Sequence, residues 1–362
     1  MRLFAGIAGL AVVLATFVSV TQTLVTPRAL RTWLPRTVRA LVRGCYQFLA
    51  DRMPSERLKD RVLAPAAPIS ILLLLVIWLG LFLIGYGLLE FAASRLPLSA
   101  ALREAGSSVF TLGFASDERT KLTVVDFCAA ATGPIVIGLQ IGYLPTLYAA
   151  YARREAEVSL LRIRGGVPAW GPQLLVRHAQ VDLEDALPGI FRAWESWSAE
   201  VGESHTNYPV LIHFRSPSWE RSWLIALLAV LDAGALHLAL NPSLPQTQIR
   251  LTLRAGFTCL RDLAREEGIA YDPDPSPDGP IDLTYAEFVE AVERMRLREV
   301  PMERGPEEAW PHFRGWRVNY EAIVYALALR IDAVPAPWSG PRRRDRGPVD
   351  VLTPKDRKPT GG

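Results

Sequence analysis

Thr111, Leu112, Gly113, Phe114 and Ala115 are the residues whose types and spacing point most directly to chemistry. They follow a short amphipathic stretch, residues 98–110, and precede a few charges and a long apolar run that closes at Arg153 and Arg154. A helix too short to span, a turn with Thr and Gly, and then a full span read as a re-entrant loop ahead of a lining helix. Such backbone persists at membrane depth only where protein buries it or a water-filled path runs beside it. The chemistry expected is passage of ions along that path.

The string Thr111-Leu112-Gly113-Phe114 resembles the selectivity filter of the pore-loop potassium channels, in which Thr-x-Gly-(Tyr/Phe)-Gly carbonyls replace the hydration shell of the ion. Gly133-Pro134-Ile135-Val136-Ile137-Gly138-Leu139-Gln140-Ile141-Gly142-Tyr143-Leu144 looks like the inner helix of that family. The two motifs stand in the family's order, with an apolar helix before them, over residues 68–154. The resemblance implies a pore for potassium or another monovalent cation, built by four copies of the chain in a lipid bilayer. It also implies that Thr111, Leu112, Gly113, Phe114 and Ala115 supply the ion-binding carbonyls and that Gly133, Pro134, Gly138 and Gly142 form a gating hinge.

One position departs from the pattern. Ala115 stands where the family has its second filter glycine, and Ser116 where Asp or Asn often follows. Positive φ costs a non-glycine residue roughly 1–2 kcal/mol. A flipped outer carbonyl with weaker ion discrimination is one expectation. The alternative is a non-conducting, membrane-anchored interaction or signalling protein with a degenerate channel-like core.

The elements that must hold this loop follow from the apolar runs. Residues 1–26 hold a run long enough to cross a bilayer, read as a retained span rather than a signal peptide because only Arg2 precedes it and no small-x-small cleavage site follows. Residues 27–67 are basic, which places them on the cytoplasmic side. Within them Arg28, Arg36, Arg39 and Arg43 share one helical side and Leu30, Trp33, Leu34, Val38 and Leu41 the other, as in a helix lying on anionic headgroups. A voltage sensor is the sharper reading, but Pro35 interrupts the run. The second span covers 68–91 and the third about 122–151, closed by Arg153 and Arg154. Asp126, an ionisable group close to the membrane, is a functional candidate or a helix-start cap. Gly133 before Pro134 predicts a bend, and Gly138 with Gly142 has the spacing of a helix-packing pair.

Beyond Arg154 the composition becomes that of a water-facing helical domain. Residues 155–182 read as a linker with Gly165-Gly166 at its weakest point, 183–335 as a cytoplasmic α-helical domain, and 336–362 as a disordered basic tail. Residues 209–214 are a lone strand candidate. Residues 223–240 are apolar enough to span, but Asp232 and His237 favour a buried core helix. The cluster Trp310, His312, Phe313, Arg314, Trp316, Arg317 and Tyr320 reads as packing with snorkelling arginines rather than a ligand site.

The fold expected is therefore an all-α membrane protein in the cell inner membrane: a pore-loop core, an extra N-terminal span and a C-terminal helical domain. At 362 residues, 50% hydrophobic, the chain has room for both parts, and its net charge of +3 gives no reason to expect nucleic acid. Cys45, Cys128 and Cys259 have no metal spacing, and the five histidines are dispersed. With no phosphate-cradling loop or nucleophile elbow, no enzymatic activity, metal or cofactor is expected.

Overall fold

The computed structural model describes residues 1–26, 33–94, 96–114, 120–180 and 186–342, so Ala115, Ser116, Arg28 and Leu30 lie outside the described residues. All regular structure among the described residues is helical. The chain divides into two units. The first comprises residues 1–54 and 61–149, the second 55–60 and 150–362.

In the first unit, α1 (Arg2–Leu24) and α4 (Ala66–Ala93) are antiparallel neighbours. Gly6 meets Ala92, Gly9 meets Gly85, and farther along Trp78 donates its indole N–H to Ser19 Oγ at 3.1 Å. A Cβ at Gly9 would stand 2.7 Å from the Gly85 carbonyl oxygen, so the two backbones touch through the missing side chains. That is how apolar helices associate where lipid removes the hydrophobic drive. Between them, α2 (Trp33–Ala50) packs on α4 through Val38 and Val42 and leaves Trp33, Leu41 and Phe48 exposed. The apolar side read from the sequence thus serves two surfaces. Next come α5 (Leu98–Val109) and α6 (Thr120–Gly165), the latter unbroken through Pro134 and Pro145; residues 56–60 of α3 (Glu56–Leu63) and 150–165 of α6 are counted with the second unit.

Among the described residues, four helices are long and apolar enough to cross a membrane. In α1, α4 and α6 only 22%, 33% and 28% of the apolar window is buried by protein, whereas in α9 (Trp223–Leu240) 94% is. The first three need an apolar surround; α9 already has one.

The second unit wraps α9 with α7 (Gly171–Ala179), α8 (Leu187–Asn207), α10 (Thr247–Glu267), α12 (Pro306–Arg317) and α13 (Glu321–Arg330), while α11 (Tyr285–Arg296) packs on α7 and α12. Local signals set these ends. Thr284 and Glu287 close a capping box on α11, and Gly268 at φ 68° ends α10. Gly171 lets the start of α7 approach α9, where a Cβ would meet the Ala233 nitrogen at 2.8 Å.

Several expectations need correction. Residues 155–182 are no linker: α6 continues to Gly165, and α7 buries Leu174, Leu175 and Val176. Residues 209–214 form no strand; Pro209–His213 is a 3-10 turn. Residues 336–342 are not a disordered tail, since Ala336, Trp338 and Ser339 are buried, and the rest of that expected tail, 343–362, lies outside the described residues. Charged residues from the basic segment also belong to this unit. Lys59 pairs with Asp332 at 3.3 Å, Asp60 with Arg215, and Glu56 with Arg342 at 3.3 Å.

Two buried arginines organise the unit. Arg317, read as snorkelling, is fully buried: it donates to Asp232, to Glu321 Oε1 at 2.7 Å, to the Tyr325 hydroxyl at 2.9 Å and to the Trp338 carbonyl at 2.8 Å. Arg154 donates to the carbonyls of Leu211 and Phe214, to Glu155 and to His205 Nε2. Arginine only donates, so His205 Nε2 accepts and the ring is neutral with its proton on Nδ1.

This arrangement carries a pH prediction. Burial pushes His178 and His205 below the ordinary imidazole value of 6.5, and the Arg154 charge adds to the effect at His205. The unfolded chain takes up protons at these rings below about pH 6.5 while the folded chain does not. Stability from these rings is therefore complete above that pH and lost as pH falls toward the folded values, each tenfold difference in proton affinity being worth about 1.4 kcal/mol. The melting temperature at pH 5.5 is expected below that at pH 7.5, with the gap narrower in His205→Gln. An equal gap in the variant would remove His205 from the account.

Candidate functional site

The loop at residues 110–114 is positioned by α5, which descends along α4 in the reverse direction. Gly87 faces Leu102, and Gly106, four residues on in α5, faces Leu83, four residues back in α4. The small residues are what allow α5 so close: a Cβ at Gly87 would lie 2.6 Å from Leu102. At its far end α5 meets α6. The Val109 carbonyl oxygen occupies the place of the missing side chain of Gly133, 1.9 Å from where a Cβ would be. Ser108 donates to Asp126 Oδ1 at 2.9 Å, and the hydroxyls of Tyr86 and Thr132 are 2.8 Å apart, which ties α4 to α6 at the same level.

These contacts set the depth of the loop. Gly133 lies thirteen residues beyond Thr120, the first residue of α6. At 1.5 Å per residue that is roughly 20 Å. Leu83 lies roughly 15 Å before the end of α4 by the same rise. The end of α5 therefore sits about halfway down a hydrocarbon layer roughly 30 Å thick, if the ends of α4 and α6 lie at its surface.

The turn after α5 has alternating handedness. Thr111 has φ 53° and Gly113 φ 70°, while Leu112 and Phe114 are not in the left-handed region. Thr111 and Leu112 donate their N–H groups to the carbonyls of Ser108 and Ser107 at 2.9 and 2.8 Å, continuing the end of α5. Thr111 Oγ1 bonds back to the Phe110 carbonyl at 2.8 Å. Leu112 and Phe114 are 61% and 55% exposed, and the Arg103 guanidinium lies over the Phe114 ring at 5.3 Å.

The structure brings Val109, two residues before Thr111, against Gly133, with Pro134 next to it inside α6. Gly138 and Gly142 lie apart. At 100° per residue they are turned about 140° and 180° from Gly133, and neither meets an atom within 4 Å. Helix packing within one chain does not account for that pair. Ala115 falls outside the described residues.

Sequence reasoning singled out Asp126 but missed Glu90, the buried carboxylate of α4. Glu90 of α4 is fully buried with neither oxygen hydrogen-bonded, and Glu104 of α5 and Asp126 of α6 are close enough to act on it electrostatically. The signal was available, since an ionisable residue inside an apolar span is a functional candidate by default. Among the described residues no group of three or more His, Cys, Asp or Glu has the geometry to hold a metal ion.

Comparison with known proteins leaves the geometry to speak alone: no family model, no curated protein and no solved structure matches this chain.

Proposed function

We propose that the chain is one subunit of a cation channel, with residues 110–114 as its re-entrant loop, four copies around one pore, and the second unit on the cytoplasmic side. What supports this reading is a short helix, α5, packed along the apolar α4 and against α6, which ends in exposed backbone with positive φ at Thr111 and Gly113. Exposed, non-helical backbone at membrane depth needs protein or a water-filled path beside it. One loop cannot ring an axis, so closed symmetry among copies supplies both. Alternating φ at Thr111 and Gly113 turns successive carbonyls toward one side, as cation coordination requires. The open face at Gly138 and Gly142 leaves room for a neighbour or for the pore.

The test is cation flux in liposomes holding the purified protein, with crosslinking in membranes to count copies. Flux for potassium, sodium or both is expected. Gly113→Ala isolates the role of handedness, because its added methyl meets no atom within 4 Å. A cost of 1–2 kcal/mol at positive φ lowers the population of this loop conformation by about tenfold, and flux should fall with it. Gly113→Pro, with φ fixed near −65°, should abolish flux. No flux from folded, inserted wild-type protein would turn the assignment to a non-conducting, membrane-anchored interaction protein.

A further inference from the structure

The second unit holds a cavity of about 280 Å³ where α7, α9 and α11 end and α8 and α10 begin. Its floor is apolar, with Leu175, Leu187, Ile249 and Met295 each no more than 5% exposed. Pro188, Pro245 and Pro301 stand exposed at its edge, where their rings stiffen the backbone. Among the described residues two lining side chains alone are polar, His237 and Asn241. Neither makes a hydrogen bond through its side chain to another described residue, although Asn241 is only 7% exposed. Buried polar groups are ordinarily bonded. Asn241 is buried and is not, and with the half-buried His237 on the same apolar hollow it points to a ligand with an apolar body and a polar end.

Among the described residues no Lys or Arg lines the wall to meet a carboxylate or phosphate. Glu303, whose charge reaches His237, is engaged with the backbone N–H of Ser243 at 2.9 Å and with its hydroxyl. The volume lies at the small end of ligand sites, roughly 300–1,000 Å³, and so excludes a nucleotide. Met295 on the floor offers a polarizable thioether, which suits an aromatic ring. We propose that this cavity binds a small uncharged aromatic molecule of the phenol class, held by hydrogen bonds to His237 and Asn241. The inference concerns binding alone and stands whether or not the chain conducts.

The experiment titrates phenol into the full chain in nanodiscs by calorimetry, with toluene and benzoate as comparisons. Saturable binding of phenol is expected, with toluene weaker by about tenfold for want of the hydrogen bond and benzoate not bound. Ala179→Phe, which fills the cavity from its half-exposed edge, should remove binding while leaving the melting temperature near that of the wild type. His237→Phe and Asn241→Leu should each weaken phenol about tenfold and leave toluene unchanged. Phenol uptake that does not saturate, that persists in Ala179→Phe, or that benzoate matches would overturn the proposal. So would phenol affinity that neither polar substitution changes.

Discussion

Replacing Arg317 by Met is expected to cost the second unit about 3–5 kcal/mol, the usual consequence of removing one partner of a buried ion pair. Arg317 has no exposed surface, and its guanidinium joins Asp232 of α9, Glu321 and Tyr325 of α13 and the backbone of Trp338. Met fills a comparable volume but donates nothing. Asp232 keeps the Tyr320 hydroxyl at 2.8 Å, and Glu321 keeps the N–H groups of Asp282 and Leu283, the latter at 3.1 Å. Those remaining donors put the cost nearer the lower end of the range. Even so it is a large part of a stability of roughly 5–15 kcal/mol. Lys should rescue little, because a single ammonium cannot reach both carboxylates, a hydroxyl and a carbonyl in the planar pattern that Arg317 uses. Adding Asp232→Leu to Arg317→Met should recover part of the loss, since it removes the stranded charge. Denaturant unfolding followed by tryptophan fluorescence reads all three. A loss below about 1 kcal/mol for Arg317→Met, no more than an ordinary surface substitution gives, would show that the network is not a stability centre.

Gly133→Ala is expected to lower cation flux at least about tenfold in protein that still folds and inserts. The added Cβ would be 1.9 Å from the Val109 oxygen and 3.0 Å from its carbonyl carbon. Both are backbone atoms, so no side-chain rotation relieves the clash. Either α6 or the end of α5 must move by more than about 1 Å to restore contact distance. Overpacking of this kind costs roughly 1–3 kcal/mol, and a tenfold effect corresponds to about 1.4 kcal/mol. The displacement falls two residues before Thr111, where the proposed ion path begins. Gly80→Ala is the control: it adds the same methyl to α4 at a position where nothing among the described residues lies within 4 Å. It should conduct like the wild type. If Gly133→Ala also conducts normally, the contact between α5 and α6 does not set the loop.

What could be read from the sequence depended on how far apart the interacting residues lie. The three lipid-suited helices were legible because a span is a property of consecutive residues, and α11 because Thr284 and Glu287 lie within one turn. The short helix before Thr111 was legible for the same reason. Arg317 was misread because its decisive partner, Asp232, is 85 positions away. Glu56, Lys59 and Asp60 looked like part of a topology-setting basic segment, since nothing local announces Arg342, Asp332 and Arg215 as their partners. The supposed linker misled because Gly165-Gly166 does end a helix, yet α7 is too short for its Leu174-Leu175-Val176 to show a clear period. Gly133 was legible as a small residue in a span. That it receives the Val109 carbonyl is a fact of three dimensions.

The helix α9 raises a question of biosynthesis. Its apolar stretch satisfies the requirements of a membrane span, yet in the folded protein its lipid is replaced by other helices. Of those, α7 and α8 precede it in the chain, while α10, α12 and α13 follow. The start of α12 emerges from the ribosome some 66 residues after the end of α9, which at 5–20 residues per second is roughly 3–13 s. Through that interval α9 lacks part of its final cover, and three helices long and apolar enough to cross a membrane have already been made. Asp232 and Gly234 then have a role before folding as well as after it. They make the nascent segment a poorer candidate for insertion until its last covering helices arrive.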